Sequence, residues 1–216
     1  MKMIDQNSQS RAASSELAAC EVHGMTRASF ILRGALATGA LYGTSAVAPF
    51  VSQALAAADT GDVEILNFAL TLEYLESDFY RVKGKQVGLS GQAKSYATVF
   101  GEEEEAHVLA LTSAVKQLGG KPVAKPAFAF PVTNESSFLK LASVLENTGV
   151  GAYNGAGPML KSKEVLASAG AIVQVEARHA AAIALLIDQS PTPYQGFDRS
   201  LTKAQVLAKA GPLIKS

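Results

Sequence analysis

From residue 62 onward, apolar positions recur every three or four residues, the period of a helix with one buried face. Four long stretches carry this pattern. The first predicts a helix over 62–83, closed at Gly84, and the second starts near Ser90 as N-cap and ends at Gly119 and Gly120. The third is capped by Thr133 or Asn134 and runs through Leu139 to about Leu160. The fourth starts at Ser162 or Lys163, runs to Asp188 and is stopped by Pro191 and Pro193. A short amphipathic piece over 201–210 follows, expected as a lid on one end of the bundle. No stretch alternates strictly as a strand does. Two of the joints are short, which makes antiparallel neighbours, while the joint containing Pro122, Pro126 and Pro131 is long. The prediction is an all-α, antiparallel four-helix bundle with one long crossover between helices 2 and 3 and a short C-terminal helix. Gly149, Gly151, Gly155 and Gly157, with Pro158, interrupt the third helix and allow either a close approach or a kink.

The chain has 216 residues, 48% of them hydrophobic, enough to bury one good core. Nineteen basic residues balance nineteen acidic ones, so charge gives no reason to expect nucleic acid or an anionic membrane as partner. Cys20 is the sole cysteine, which excludes an intramolecular disulfide and a thiolate metal site later in the chain. Residues 1–58 differ from the rest. A polar, Ser-rich start with Lys2, Arg11, Arg27 and Arg33 leads into an uncharged run of small apolar residues, ending in alanines just before Asp59. That order is the order of a secretory leader, so export to the periplasm, cell envelope or outside is expected. The run is about long enough to span a bilayer, but its Gly, Ser, Thr and Pro49 favour cleavage over anchoring, leaving no stable membrane span. Residues 26–32 resemble the twin-arginine export signal, with Arg27 in place and Ala28 where the second arginine would stand. The expected organisation is a leader over 1–58, a bundle over 59–190 and an extension over 191–216. Cleavage after Ala56 or Ala58 would remove Cys20 and His23, leaving His107 and His179 as the only histidines.

Those two histidines carry the chemistry. Glu104 stands three residues before His107, and Glu176 three before His179, so each pair shares a helix face. Helix 1 supplies Leu72-Glu73 with Tyr80 seven residues after the acid, and helix 3 supplies Leu145-Glu146 with Tyr153 at the same distance. Glu104 follows Glu73 by 31 residues and Glu176 follows Glu146 by 30, so the bundle reads as a repeated helix pair. All six polar groups fall on apolar stripes, where carboxylates are costly unless paired or bound to a cation. Carboxylate and imidazole together suit iron or manganese. Glu73, Glu104, His107, Glu146, Glu176 and His179 are therefore the expected ligands and the expected catalytic centre of a two-metal site. Glu76 is the alternative to Glu73, with the Leu-Glu and Tyr repeat favouring Glu73. Glu102 and Glu105 read as a solvated acidic face. Tyr80 and Tyr153 are either core aromatics, the first expectation, or hydrogen-bond donors to the ligands.

Residues 65–76 with Phe79 and Tyr80, residues 104–107, 146–153 and 175–179 resemble the four helices of the exported ferritin-like domain family, which includes desiccation-related and stress-response proteins. The resemblance covers nearly all of 61–189 and implies the bundle and a di-metal site. On that basis the expected function is redox chemistry with two iron or two manganese ions on dioxygen, peroxide or Fe(II), protective under stress. The alternative is a non-catalytic module for metal storage or structure. The chain could also assemble as a homo-oligomer.

Overall fold

The computed structural model describes residues 60–215 and the backbone of Glu21, Val22, Met25 and Thr26. The expected leader, with Cys20, His23 and Arg27, otherwise lies outside the described residues. The chain divides into two units, Met1–Phe50 and Val51–Ser216. In the first, β1 (Glu21–Val22) pairs antiparallel with β2 (Met25–Thr26). The described helices belong to the second.

Helix α1 spans Thr60–Asp78 and runs on through a π turn, Phe79–Lys83, and a closing α turn, Gly84–Gln86. Gly84 therefore does not end it. Its backbone stays right-handed (φ −56°, ψ −36°), and the left-handed residue that breaks the segment is Gly88, at φ 68°. Across the π turn two adjacent aromatics, Phe79 and Tyr80, both face inward. Helix α2 spans Gly91–Gln117 and α3 Glu135–Ala156, the latter tightening into a 3₁₀ turn, Gly157–Met159, at Pro158. Helix α4 spans Lys163–Leu186 and α5 Lys203–Ala210.

The caps follow the sequence with one exception. Asn134 accepts from Ser137 N in a capping box, Ser162 accepts from Val165 N, and Thr202 forms a second box with Gln205. Ser90 holds the N-cap position of α2 but makes no cap bond. Its backbone N–H and its hydroxyl both donate to Glu135 Oε2, at 2.7 and 2.9 Å, tying the start of α2 to the start of α3. At the other end the Asp62 carboxylate, fully buried, accepts from the backbone N–H groups of Lys161 and Ser162 at 3.0 and 2.9 Å. The start of α1 thus meets the end of α3, while Phe79 near its far end stacks on Phe138 at 4.2 Å, near the start of α3. The two helices run antiparallel. Helix α1 packs chiefly on α2, and α3 on α4. This is the expected all-α bundle with its long crossover between α2 and α3.

Two further details depart from expectation. The crossover contains β3 (Ala127–Phe128), which pairs antiparallel with β4 (Ile214–Lys215) at the chain's end. Two-residue strands are too short to show alternation. Helix α5 is no lid on the bundle's end: the segment leading into it lies along α3, where Leu201 N donates to Gly151 O at 2.8 Å. Gly151 and Gly155 serve that close approach. A Cβ at Gly155 would stand 2.0 Å from Leu201 O, and one at Gly151 would stand 2.6 Å from Leu201 Cγ.

The apolar core falls into two clusters. One gathers Leu75, Phe79, Phe100, Phe138, Leu145 and Ile183. The other gathers Leu66, Leu70, Val108, Leu111, Val165 and Ile172. Along α1, α2 and α4 the candidate ligands fall between members of the first cluster and members of the second. Helix α4 is apolar and long enough to cross a membrane by length and composition, yet Glu176 and His179 lie buried in its interior.

Candidate metal centre

Each of the four long helices contributes to one polar centre. Helix α1 presents Glu73, α2 Glu104 and His107, α3 Glu146, and α4 Glu176 and His179. Glu104, Glu146 and Glu176 are 0% exposed, Glu73 1%, His179 2% and His107 8%. The structure brings all six together in two overlapping groups. Glu73, Glu104, His107 and Glu176 form one, and Glu104, Glu146, Glu176 and His179 the other, with ligand atoms in each group within 4.8 Å of one another. Glu104 and Glu176 belong to both, one from each repeated helix pair.

Both imidazoles turn Nδ1 toward these carboxylates. His107 Nδ1 lies 3.0 Å from Glu176 Oε1, 3.2 Å from Glu104 Oε2 and 3.3 Å from Glu73 Oε2. His179 Nδ1 lies 2.9 Å from Glu104 Oε1 and 3.5 Å from Glu146 Oε2. Of these approaches, the one from His107 Nδ1 to Glu104 Oε2 is a hydrogen bond, and it leaves most of the facing oxygens unserved. Glu73 Oε2, Glu104 Oε1, Glu146 Oε2, both Glu176 oxygens and His179 Nδ1 are buried without a partner in hydrogen-bonding geometry. Orphaned buried acceptors on this scale are costly, and a cation shared among them removes the cost. Carboxylate oxygens with one imidazole nitrogen per group are the donors that iron and manganese accept, so the residues present fit a pair of such ions.

Tyr80 and Tyr153 are hydrogen-bond donors, not merely core aromatics. Tyr80 on the α1 side donates to Glu146 Oε1 on α3, and Tyr153 on α3 donates to Glu73 Oε1 on α1. The two bonds cross between the antiparallel helices, and each leaves its carboxylate's second oxygen for the centre. Burial, then the charge of the accepting carboxylates, holds both phenols well above their ordinary value of 10, so they stay protonated.

Two further acids stand beside the two groups. Glu76, weighed in the sequence only as a substitute for Glu73, is 3% exposed, so both are buried. Glu103 reaches across from α2 to accept from His179 Nε2 at 2.6 Å, with its side chain 39% exposed. No sequence spacing marks Glu103, because its partner lies on another helix. The ring of His179 also stacks on Phe100, with centroids 3.9 Å apart. Glu102 is exposed, and Glu105 accepts from Arg81 and Ser77 outside the centre.

The charges are strongly coupled. Burial pushes Glu104 up to about 7, tempered by its bonds to both histidines. Burial and neighbouring carboxylates drive Glu76 and Glu176 well above 4.5. Burial would raise Glu73, but the charge of His107 together with hydrogen bonds involving His107, Glu104 and Tyr153 holds it below 4.5. Glu103 is lowered by its bond to His179. Burial alone would lower both imidazoles, but the surrounding carboxylates prevail, raising His107 and pushing His179 up to about 12. Without a metal, the two imidazolium groups are the cations of this cluster.

A bundle of four antiparallel helices with one long crossover, enclosing a carboxylate and histidine centre, defines the ferritin-like class. The family model for the ferritin-like domain matches residues 61–189, and the chain belongs to that family. No curated protein matches the chain.

Proposed function

We propose that this protein holds two iron or two manganese ions and uses them for redox chemistry on dioxygen, peroxide or Fe(II). The observation that carries the proposal is the pair of four-residue groups sharing Glu104 and Glu176, lined with buried oxygens that lack hydrogen-bond partners. Glu104 and Glu176 would bridge the ions. Glu73 and His107 would complete one coordination sphere, and Glu146 and His179 the other. Bound there, the ions would supply one-electron redox steps and open positions for a small oxidant.

The chain's own residues set the conditions for that chemistry. Tyr80 and Tyr153 fix the terminal carboxylates Glu146 and Glu73 through one oxygen each. Glu103 holds a proton on His179 Nε2, which leaves Nδ1 as the nitrogen facing the centre and raises its donor strength. The flanking apolar clusters limit water and strengthen every charge interaction between them. The leader-like composition of residues 1–58 supports action outside the cytoplasm in protection against oxidative or drying stress. N-terminal sequencing of the protein recovered from its host tests that placement.

The deciding experiment measures metal per chain, loss of hydrogen peroxide and oxidation of Fe(II) by the purified protein. Two ions with turnover of either substrate is the expected result. Two ions without turnover would refute the redox activity and favour storage or a structural role. A folded protein that takes up neither iron nor manganese would refute the metal centre itself.

A further inference from the structure

The two halves of the bundle are not equivalent, and the difference falls on the centre. Aligning the repeat on Glu73 and Glu146 places Tyr80 opposite Tyr153, but places Glu76 opposite Gly149. One half therefore carries an additional carboxylate where the other half carries no side chain at all. In the folded chain these two positions meet. A Cβ at Gly149 would lie 3.3 Å from Glu76 Oε1 and 3.6 Å from both Glu76 Oε2 and Glu176 Oε2. Gly149 is an interior residue of α3, where glycine costs roughly 1 kcal/mol against alanine. Its bare Cα gives the room into which the Glu76 carboxylate extends, beside the carboxylate that belongs to both ligand groups.

We propose that Glu76 is a fifth carboxylate ligand of the metal pair, seated in the space that Gly149 leaves open. This rests on the di-metal proposal and extends it. Glu76 is 3% exposed and stands three residues after Glu73, which already occupies one ligand group. A buried carboxylate among four others needs a cation, and among the described residues His107 and His179 are the only basic side chains buried there. The added ligand also changes the charge balance. Four carboxylates neutralise two divalent ions when both imidazoles are neutral ligands. The fifth leaves one negative charge in excess, which a trivalent ion in the pair would offset. Glu76 thus favours the oxidised pair and makes the two ions unequal.

The test compares the wild-type chain with Glu76→Gln, which keeps the shape and removes the charge, and Glu76→Asp, which keeps the charge and withdraws it by one methylene. Fe(II) or Mn(II) is titrated anaerobically into each metal-free protein, with melting of the metal-free forms recorded as a check on folding. Losing a ligand is expected to weaken at least one ion by more than about a hundredfold in both variants, beyond the 10–100-fold typical of an outer partner. For iron, the pair's midpoint potential is expected to rise in Glu76→Gln. A smaller loss in Glu76→Gln, or wild-type affinity in Glu76→Asp, would overturn the inference while leaving the di-metal proposal standing. A wild-type chain that binds fewer than two ions would overturn both.

Discussion

At His107 and at His179, three carboxylates surround the imidazole, and at His179 the bond of Nε2 to Glu103 leaves Nδ1 facing the centre. Replacing either histidine by alanine is expected to remove at least one metal equivalent, measured by elemental analysis, while Glu102→Ala should leave metal content unchanged. Loss in Glu102→Ala would mean that the exposed face of α2 has been misjudged. Tyr80→Phe and Tyr153→Phe should keep both ions but weaken them by roughly tenfold each, since the ligand carboxylate loses its orienting donor. Calorimetric titration checks this, and unchanged affinity would make the phenols packing groups after all. The six central residues were legible in the sequence because the repeat doubles each motif and uses the only two histidines after the expected leader. Glu103 was not, because nothing in the order of residues on α2 reports what α4 places beside it.

Helix boundaries came through where a side chain makes its own local bond, as at Asn134 and Ser162. Where the partner is remote, less came through. Ser90 marks the start of α2 as expected, but its hydroxyl serves Glu135 on another helix, and Gly84 reads as a stop although the chain continues helical to Gln86. The α3 glycines could not be assigned from sequence, because close approach and kinking demand the same residue. The structure gives Gly151 and Gly155 to Leu201. Gly155→Ala should therefore destabilise the protein by about 1–3 kcal/mol through overpacking against the Leu201 backbone, reversing the gain that alanine normally brings to a helix. Thermal melting gives the sign. Proteolysis should find the segment after residue 200 more easily cut, with two ions still bound.

For the molecule as a whole, the fold was readable because four helical stripes and one long joint leave few alternatives. The direction in which α5 packs was not, since a short amphipathic helix fits several surfaces. The centre sits between two apolar clusters, so its charge state governs stability. Glu76, Glu104, Glu176, His107 and His179 all bind protons more tightly folded than unfolded. Their stabilisation is complete below the unfolded values of 4.5 and 6.5. It is lost as pH rises, through about 7 for Glu104 and onward to about 12 for His179. Glu73 and Glu103 act oppositely and lose their share only below 4.5. The metal-free protein should accordingly melt at falling temperature as pH rises above 4.5, and bound metal should flatten that slope by replacing the protons. A metal-free melting temperature that rises steadily with pH would contradict the coupling. The most direct test is elemental analysis of the folded protein isolated from its own host. Two iron or two manganese ions per chain is the predicted result, and a chain that stays folded with neither metal, and takes up neither when offered, would contradict it.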